Sequence, residues 1–99
     1  MQDAFWEWDD DKAERNPREH KGVTFQDAQQ AFHDPYGIDL YDEDHSTVDE
    51  KRFIRLGLTP KGVLFVSYTQ RNDRTHIIHA RKATKALEKE YEKYRGQED

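Results

Sequence analysis

The sequence predicts an α+β fold, with two N-terminal helices and a C-terminal helix packed on a mainly antiparallel sheet. Capping residues and apolar positions three or four apart mark a helix-rich start and end, alternating apolar residues mark strands in between, and short turns join those strands. We expect two layers. The 99 residues are enough for one domain over residues 1–99, with residues 96–99 as a frayed tail.

The chain opens with an aromatic-rich segment, Phe5–Trp8, that is typical of a short strand. A helix follows from about Asp10 to His20, with Asp9 or Asp10 as its N-cap. Pro17 interrupts this helix because proline has no N–H to donate and restricts the residue before it. We therefore expect a kink or break at that point.

A second helix is indicated by its own start and stop signals. Gly22 ends the first helix, and Thr24 caps the second with Asp27 three residues on, in a variant of the capping box. The helix should end near His33, because the next residue precedes Pro35. Its apolar stripe comprises Phe25, Ala28, Ala31 and Phe32.

The middle of the chain holds four strand-like segments, at residues 36–41, 50–58, 63–69 and 74–81. The segment 63–69 is apolar on both faces and is therefore predicted as the central strand. Tight turns at residues 59–62 and 71–73 make its neighbours antiparallel. A last helix is predicted from about Thr84 to Arg95. Its packing stripe comprises Ala83, Leu87, Tyr91 and Tyr94.

Charge is distributed unevenly along the chain. Residues 1–50 carry 15 acidic and 4 basic residues, whereas residues 51–99 carry 6 acidic and 12 basic residues, for a total of −5. This asymmetry suggests one acidic face and one basic face, and a basic face is typical of a nucleic-acid partner. Two solvated faces that merely balance are the alternative.

The composition excludes or disfavours several classes of protein. No apolar run approaches the roughly 20 residues of a membrane span, and the N-terminus does not resemble a signal peptide. The absence of cysteine excludes disulfides and thiol chemistry and fits a cytoplasmic protein. No motif for a nucleotide cofactor is present, so we expect none.

The sequence favours a solvated loop over a metal site. His76 and His79 are three apart on a predicted strand, so they should point to opposite faces. The loop residues 42–45 are acidic but lack a spacing that would fix a coordination geometry. We expect no metal.

Basic residues of the second half favour anion binding. Arg52 lies two residues after Glu50, so both side chains should share one face of a strand, and Arg81 ends the last strand. Arginine suits phosphate because its planar guanidinium makes two parallel hydrogen bonds. Ordinary surface ion pairs are the alternative. The further basic candidates for RNA binding are Lys61, Arg71, Arg74, Lys82 and Lys85.

Aromatic and histidine side chains add to the candidates. Trp8 and Tyr68 could stack on bases, as could Trp6 and Tyr91, although such residues more often belong to a core. His20, near the end of the first helix, is the side chain most suited to proton exchange near neutral pH.

The order of these residues resembles the BrnT toxin family. The resemblance covers about Phe5 to Tyr91. It is carried by Trp8-Asp9, Lys12, Asn16, His20, Phe25 and Ala28, then by His45-Ser46, Glu50-x-Arg52, Gly57, Ile77-Ile78-x-Ala80-Arg81-x-Ala83-Thr84 and Tyr91. The sequence departs from the family's usual pattern at His79, where serine is common, and at Leu87, where glutamate is common.

The resemblance implies a RelE-like fold and a ribonuclease that blocks translation. It also implies neutralisation by a BrnA-type antitoxin encoded alongside, with DNA contacted only through the antitoxin. The family's arginine at the end of the last strand falls on Arg81, and its Glu-x-Arg pair falls on Glu50 and Arg52.

Two functional hypotheses follow. In the first, the chain is a metal-independent endoribonuclease in which Arg81 and Arg52 stabilise the charged transition state. Glu50 is then a general base or only orients Arg52, and His20 or His79 exchanges protons. In the second, the chain is a weakly active or inactive module that mainly binds its antitoxin, with the acidic half as the docking surface.

Overall fold

The computed structural model describes residues 1–96 and contains five strands and three helices. Their order is β1 (Trp6–Trp8), α1 (Asp10–Glu19), α2 (Phe25–Ala31), β2 (Ile38–Tyr41), β3 (Arg52–Thr59), β4 (Gly62–Arg71), β5 (Arg74–Lys82) and α3 (Lys85–Gly96). The predicted α+β class and every predicted element are confirmed, with boundaries that shift by a few residues. Within the predicted tail, Gly96 closes α3, and residues 97–99 lie outside the described residues.

The sheet has the strand order β1-β5-β4-β3-β2, with β4 in the middle as predicted. The pairs β2–β3, β3–β4 and β4–β5 are antiparallel, because two short turns join β3 to β4 and β4 to β5. The N-terminal strand β1 is the exception and runs parallel to β5. The mainly antiparallel sheet is therefore confirmed.

Helices cover both faces of the sheet, so the prediction of two layers was wrong. Leu64 and Val66 of β4 belong to a core with α2 residues such as Phe25 and Ala28. Val63 of β4 points the other way and belongs to a second core with Tyr91 of α3. A strand that is apolar on both faces requires cover on both, and α3 supplies the second cover at one end of the sheet.

Helices α1 and α2 begin where the sequence predicts. The carboxylate of Asp9 accepts from the backbone N–H of Lys12 at 3.1 Å. Thr24 and Asp27 form a reciprocal capping box, with hydrogen bonds of 2.8 and 3.0 Å. Each cap satisfies amide groups that have no partner within the helix.

Pro17 does not end α1, which continues to Glu19. The predicted break is absent, and the residue before the proline is held by tertiary hydrogen bonds of its side chain. The Asn16 carboxamide is buried, and its nitrogen donates to the backbone oxygens of Val23 at 2.8 Å and Ala80 at 2.7 Å. Its oxygen accepts from the Ala80 N–H at 3.2 Å.

The position of Asn16 follows from the length of β1. Strand β1 ends at Trp8, opposite Ile77, so from Ile78 onward the outer edge of β5 has no strand neighbour among residues 1–96. The Asn16 carboxamide pairs with both backbone groups of Ala80 there, as a neighbouring strand would. This side chain therefore fixes α1 to the sheet.

Replacing Asn16 with alanine should lower the free energy of unfolding by about 2–4 kcal/mol. Three buried backbone groups would lose their partner, and alanine's better helix propensity would return only a few tenths of a kcal/mol. Urea unfolding monitored by circular dichroism measures the difference. The control is Gln26→Ala, which removes an exposed amide from α2. Equal stability of the two variants would contradict the role given to Asn16.

Candidate functional site

A β-bulge in β5 decides which side chains share a face. Ser67 pairs with His79 and Tyr68 pairs with Ile77, so Ile78 has no partner in β4. An extra residue reverses the alternation of side chains beyond it. His76 and His79 therefore lie on the same face of the sheet, and the prediction that they point to opposite faces was wrong.

The end of α1 brings a second imidazole to β5. The rings of His20 and His79 lie with centroids 5.6 Å apart and planes tilted by 32°. Asn16 sits one helical turn before His20, and its hydrogen bonds to Ala80 fix that turn beside β5. Two of the predicted catalytic residues are thus in contact.

Arg81 joins this pair through a shared aromatic ring. Its guanidinium carbon lies 4.0 Å from the ring centroid of Phe65, and the His79 ring lies 5.7 Å from the same centroid. None of the ion pairs formed among residues 1–96 includes Arg81. Its charge is therefore available to an anion, and the ring orients it.

A cleft of about 280 Å³ opens beside these residues. A neighbouring depression of about 270 Å³ shares Glu19 and His20 with it. The cleft is lined by Glu19, His20, Lys21, Arg81, Lys82 and Ala83, and the depression by Lys12, Arg15, Asn16, Glu19, His20, Ile78 and His79. Five cationic side chains and one carboxylate line the two, so the surface attracts polyanions.

The environment of His79 favours its neutral form. Burial lowers the pKa of His79 below its usual value of 6.5, and the charges of His20, Arg81, Lys12 and His45 lower it further. A neutral imidazole can accept a proton at neutral pH, which makes His79 suited to act as a base.

Glu50 and Arg52 form a separate group. Glu50 accepts from Arg71 at 2.7 Å and from Arg52 at 3.4 Å, and these contacts, Arg71 first, lower the pKa of Glu50. Arg52 pairs with Thr69, whereas Arg81 pairs with Phe65 on the other side of β4. The two arginine α-carbons are therefore about 17 Å apart across the sheet. They share a face but have different neighbours, because Arg52 lies beside Glu50 whereas Arg81 lies over Phe65 and lines the cleft.

The remaining basic candidates are scattered. Lys61 donates to Asp27 at 2.7 Å and to the backbone oxygen of Gly22 at 2.8 Å. Arg74 donates to the backbone oxygen of Asp3 at 2.6 Å. Of the five additional candidates, only Lys82 lines the cleft. Arg71 lies with Glu50, and Lys85 lies on the exposed side of α3.

Trp8 and Tyr68 are not free to stack on bases, which corrects their assignment as RNA-binding residues. Trp8 is 7% exposed and packs edge-on against Phe25. Tyr68 is 6% exposed, packs on Phe32 and donates to Asp39 at 2.8 Å. Both rings point toward the α2 face of the sheet, where the main core needs large apolar groups.

Sequence reasoning missed three residues that shape the site. Lys12 and Arg15 line the depression, and Phe65 lies beneath Arg81. A signal for the first was present, because Lys12, Asn16 and His20 are spaced by four and so lie along one side of α1. No local signal distinguishes Phe65 from an ordinary core residue.

Two further findings concern ligands and membranes. Within residues 1–96, histidine, aspartate and glutamate side chains form no group of three or more that could hold a metal ion. In the same part of the chain, no helix combines the length and apolarity that crossing a membrane requires.

The fold and the cleft define a small α+β protein with an anion-attracting, histidine-containing site at one edge of its sheet. The model of the family described as the ribonuclease toxin BrnT of type II toxin–antitoxin systems matches residues 8–86, and the chain belongs to this family. A comparison with curated proteins finds no match. The resemblance drawn from the sequence is thereby confirmed, and membership implies a ribonuclease toxin with an antitoxin protein as partner.

The His79 environment predicts a pH dependence of stability. In the unfolded chain the imidazole of His79 is protonated near pH 6.5, whereas in the folded protein its pKa is lower. The contribution of neutral His79 to the free energy of unfolding is therefore complete above pH 6.5 and declines as pH falls toward the folded-state pKa. His79→Gln should flatten this decline between pH 7 and 5, as measured by urea unfolding. The exposed His33→Gln serves as control. A decline unchanged by His79→Gln would contradict the assignment.

Proposed function

We propose that the chain is a metal-independent endoribonuclease that cleaves RNA through the substrate's own 2′-hydroxyl. The observation that carries the proposal is the contact of His20 with His79 beside Arg81, which is outside every ion pair of residues 1–96. Two imidazoles and a guanidinium supply the proton transfers and the charge stabilisation that this reaction needs.

The chemistry assigns a role to each group. His79, which its lowered pKa keeps neutral at neutral pH, accepts the proton of the 2′-hydroxyl as the 2′ oxygen attacks phosphorus. The guanidinium of Arg81 stabilises the extra negative charge on the phosphorane. His20 in its protonated form donates to the departing 5′ oxygen, which leaves a 2′,3′-cyclic phosphate and a 5′-hydroxyl.

The other predicted residues act at a distance from the scissile bond in this proposal. Glu50 orients Arg52 and Arg71, because its carboxylate is engaged by both and its pKa is lowered. Arg52 contacts a phosphate farther along the strand. Lys82 lies beside Arg81 in the cleft and contacts the phosphate next to the cleaved one.

The biological setting follows from the family. We infer that cleavage inhibits translation, that the protein acts in the cytoplasm, that its fold is RelE-like, and that a BrnA-type antitoxin neutralises it. DNA is contacted only through the antitoxin. Family membership and the basic cleft support these inferences.

A second candidate function is a binding module with little or no catalysis. The stretch from residue 22 to residue 50 favours it, because this stretch contains eight acidic residues and neither lysine nor arginine. RNA incubated with the purified protein in excess chelator distinguishes the two functions, since only the first predicts cleavage.

Replacement of the site residues should slow cleavage strongly without unfolding the protein. Arg81→Ala and His79→Gln are each expected to slow cleavage of RNA about 100-fold or more. The readout is release of fragments ending in a 2′,3′-cyclic phosphate, measured in chelator by electrophoresis. Arg18→Ala is the matched control, because that arginine is exposed and its ion pair within residues 1–96 is with Glu14.

Three results would overturn the mechanism. They are undiminished cleavage by Arg81→Ala, cleavage of an RNA whose 2′-hydroxyls are replaced by hydrogen, and cleavage by wild type that stops in chelator.

A further inference from the structure

The two edge strands of the sheet differ in whether their outward backbone groups are hydrogen-bonded. The outer edge of β1 is covered by the chain's first residues, since the Trp8 N–H donates to the Met1 oxygen at 2.9 Å and the Asp3 N–H donates to the Trp6 oxygen at 2.9 Å. Strand β2 forms the other edge. No comparable segment of residues 1–96 pairs with its outer side.

The hydrogen bonds of β2 show which backbone groups are unpaired. The Asp42 N–H donates to the Arg52 oxygen at 2.9 Å, so the backbone groups of Leu40, two residues earlier, also face β3. Those of Asp39 and Tyr41 face outward. Within residues 1–96 no hydrogen bond uses the outward N–H or C=O of either residue. An edge of this kind is a template for another strand.

The surroundings of this edge are acidic and partly apolar. Glu43, Asp44 and Asp49 are exposed in the loop that follows β2. Leu40 is 37% exposed and Tyr41 is 54% exposed, on opposite faces of the strand. An incoming strand would therefore meet apolar side chains on both faces and negative charge at one end.

Charge decides between occupants of the edge. A second copy of the chain carries the same net charge of −5 and the same acidic residues beside its own β2, and like charges destabilise such a contact. A segment rich in lysine and arginine would be attracted instead. Its backbone would satisfy the outward groups of Asp39 and Tyr41, as in strand addition.

We propose that an extended, basic segment of the antitoxin adds to β2 as a sixth strand of the sheet. The proposal rests on the proposed function, because it takes the partner to be the antitoxin of this toxin. Strand β2 lies three strand spacings, about 14 Å, from β5, where the cleft opens. The added strand anchors the partner and leaves the cleft to a different part of it.

The test uses two substitutions at one residue. Tyr41→Pro removes an outward N–H that has no partner among residues 1–96, and proline is tolerated on edge strands. Tyr41→Ala removes the same ring, including its contact with Phe53, but keeps the N–H. Affinity for the antitoxin, produced from the reading frame adjoining the toxin gene, is measured by calorimetry, and thermal unfolding confirms that both variants fold.

Tyr41→Pro is expected to bind the antitoxin at least about tenfold more weakly than Tyr41→Ala, while both variants cleave RNA like wild type. Equal affinities of the two variants would overturn the proposal. The proposal would also be overturned if the toxin alone forms a dimer that dissociates in Tyr41→Pro but not in Tyr41→Ala. A second copy of the chain would then occupy the edge.

A charge reversal provides an independent arm that does not depend on proline. The double substitution Glu43→Lys and Asp44→Lys should weaken antitoxin binding several-fold in low salt, and less in high salt. The control reverses two exposed charges of α3, Glu88→Lys and Glu90→Lys. Equal effects of the two pairs would overturn the choice of a basic partner at this edge.

The binding and cleavage measurements test the two proposals independently of each other. If wild type does not cleave RNA, the proposed catalysis is wrong, yet the comparison of Tyr41→Pro with Tyr41→Ala still decides the docking edge.

Discussion

The paired hydrogen bonds between the Asn16 carboxamide and the backbone of Ala80 are the constraint on which the site depends. Strand β1 covers β5 only as far as Ile77, and beyond that point a side chain from α1 takes the place of a strand. The same carboxamide also donates to the backbone oxygen of Val23, which fixes the segment between α1 and α2. One buried amide thus sets both the path of the chain and the position of His20, one turn later.

The bulge at Ile78 is the second constraint. The sequence indicates candidate site residues on β5, but it does not indicate which of their side chains share a face. Regular alternation put His76 and His79 on opposite faces, whereas the unpaired residue between them returns both to the same face. A bulge depends on how two distant strands fit, so no residue near His79 announces it. His79 and Arg81 lie beyond the bulge, two residues apart on one face, and both contact Phe65.

The elements themselves were predictable because their signals are local. Asp9, Thr24 and Asp27 mark helix starts through their own hydrogen bonds, and the doubly apolar pattern of β4 marks a strand covered on both sides. Tertiary choices were not predictable in this way. Whether Tyr68 lies in a core or faces RNA depends on which face of the sheet α2 covers, and local sequence does not state that.

Arg55 shows that the availability of a charged side chain cannot be predicted from local sequence either. It is an arginine in the basic half of the chain, yet it donates to the backbone oxygens of Ala31 at 3.1 Å and Asp34 at 2.9 Å, and to the Asp39 carboxylate at 2.8 Å. It therefore stabilises the C-terminal end of α2 and holds β2 to the sheet, as a cation at a helix C-terminus does. Counting basic residues overstates the charge available to a polyanion.

The two charged regions lie at different edges of one sheet, and this separation has a mechanical consequence. The basic cleft is formed where α1 meets β5, and the acidic loop follows β2 at the opposite edge. In the proposed complex, a partner attracted by the acidic edge does not compete with RNA for the cationic side chains, so it can associate without first displacing substrate. In the proposed complex, neutralisation requires the partner to extend about 14 Å across the sheet, so attachment and neutralisation are two separable properties of that complex.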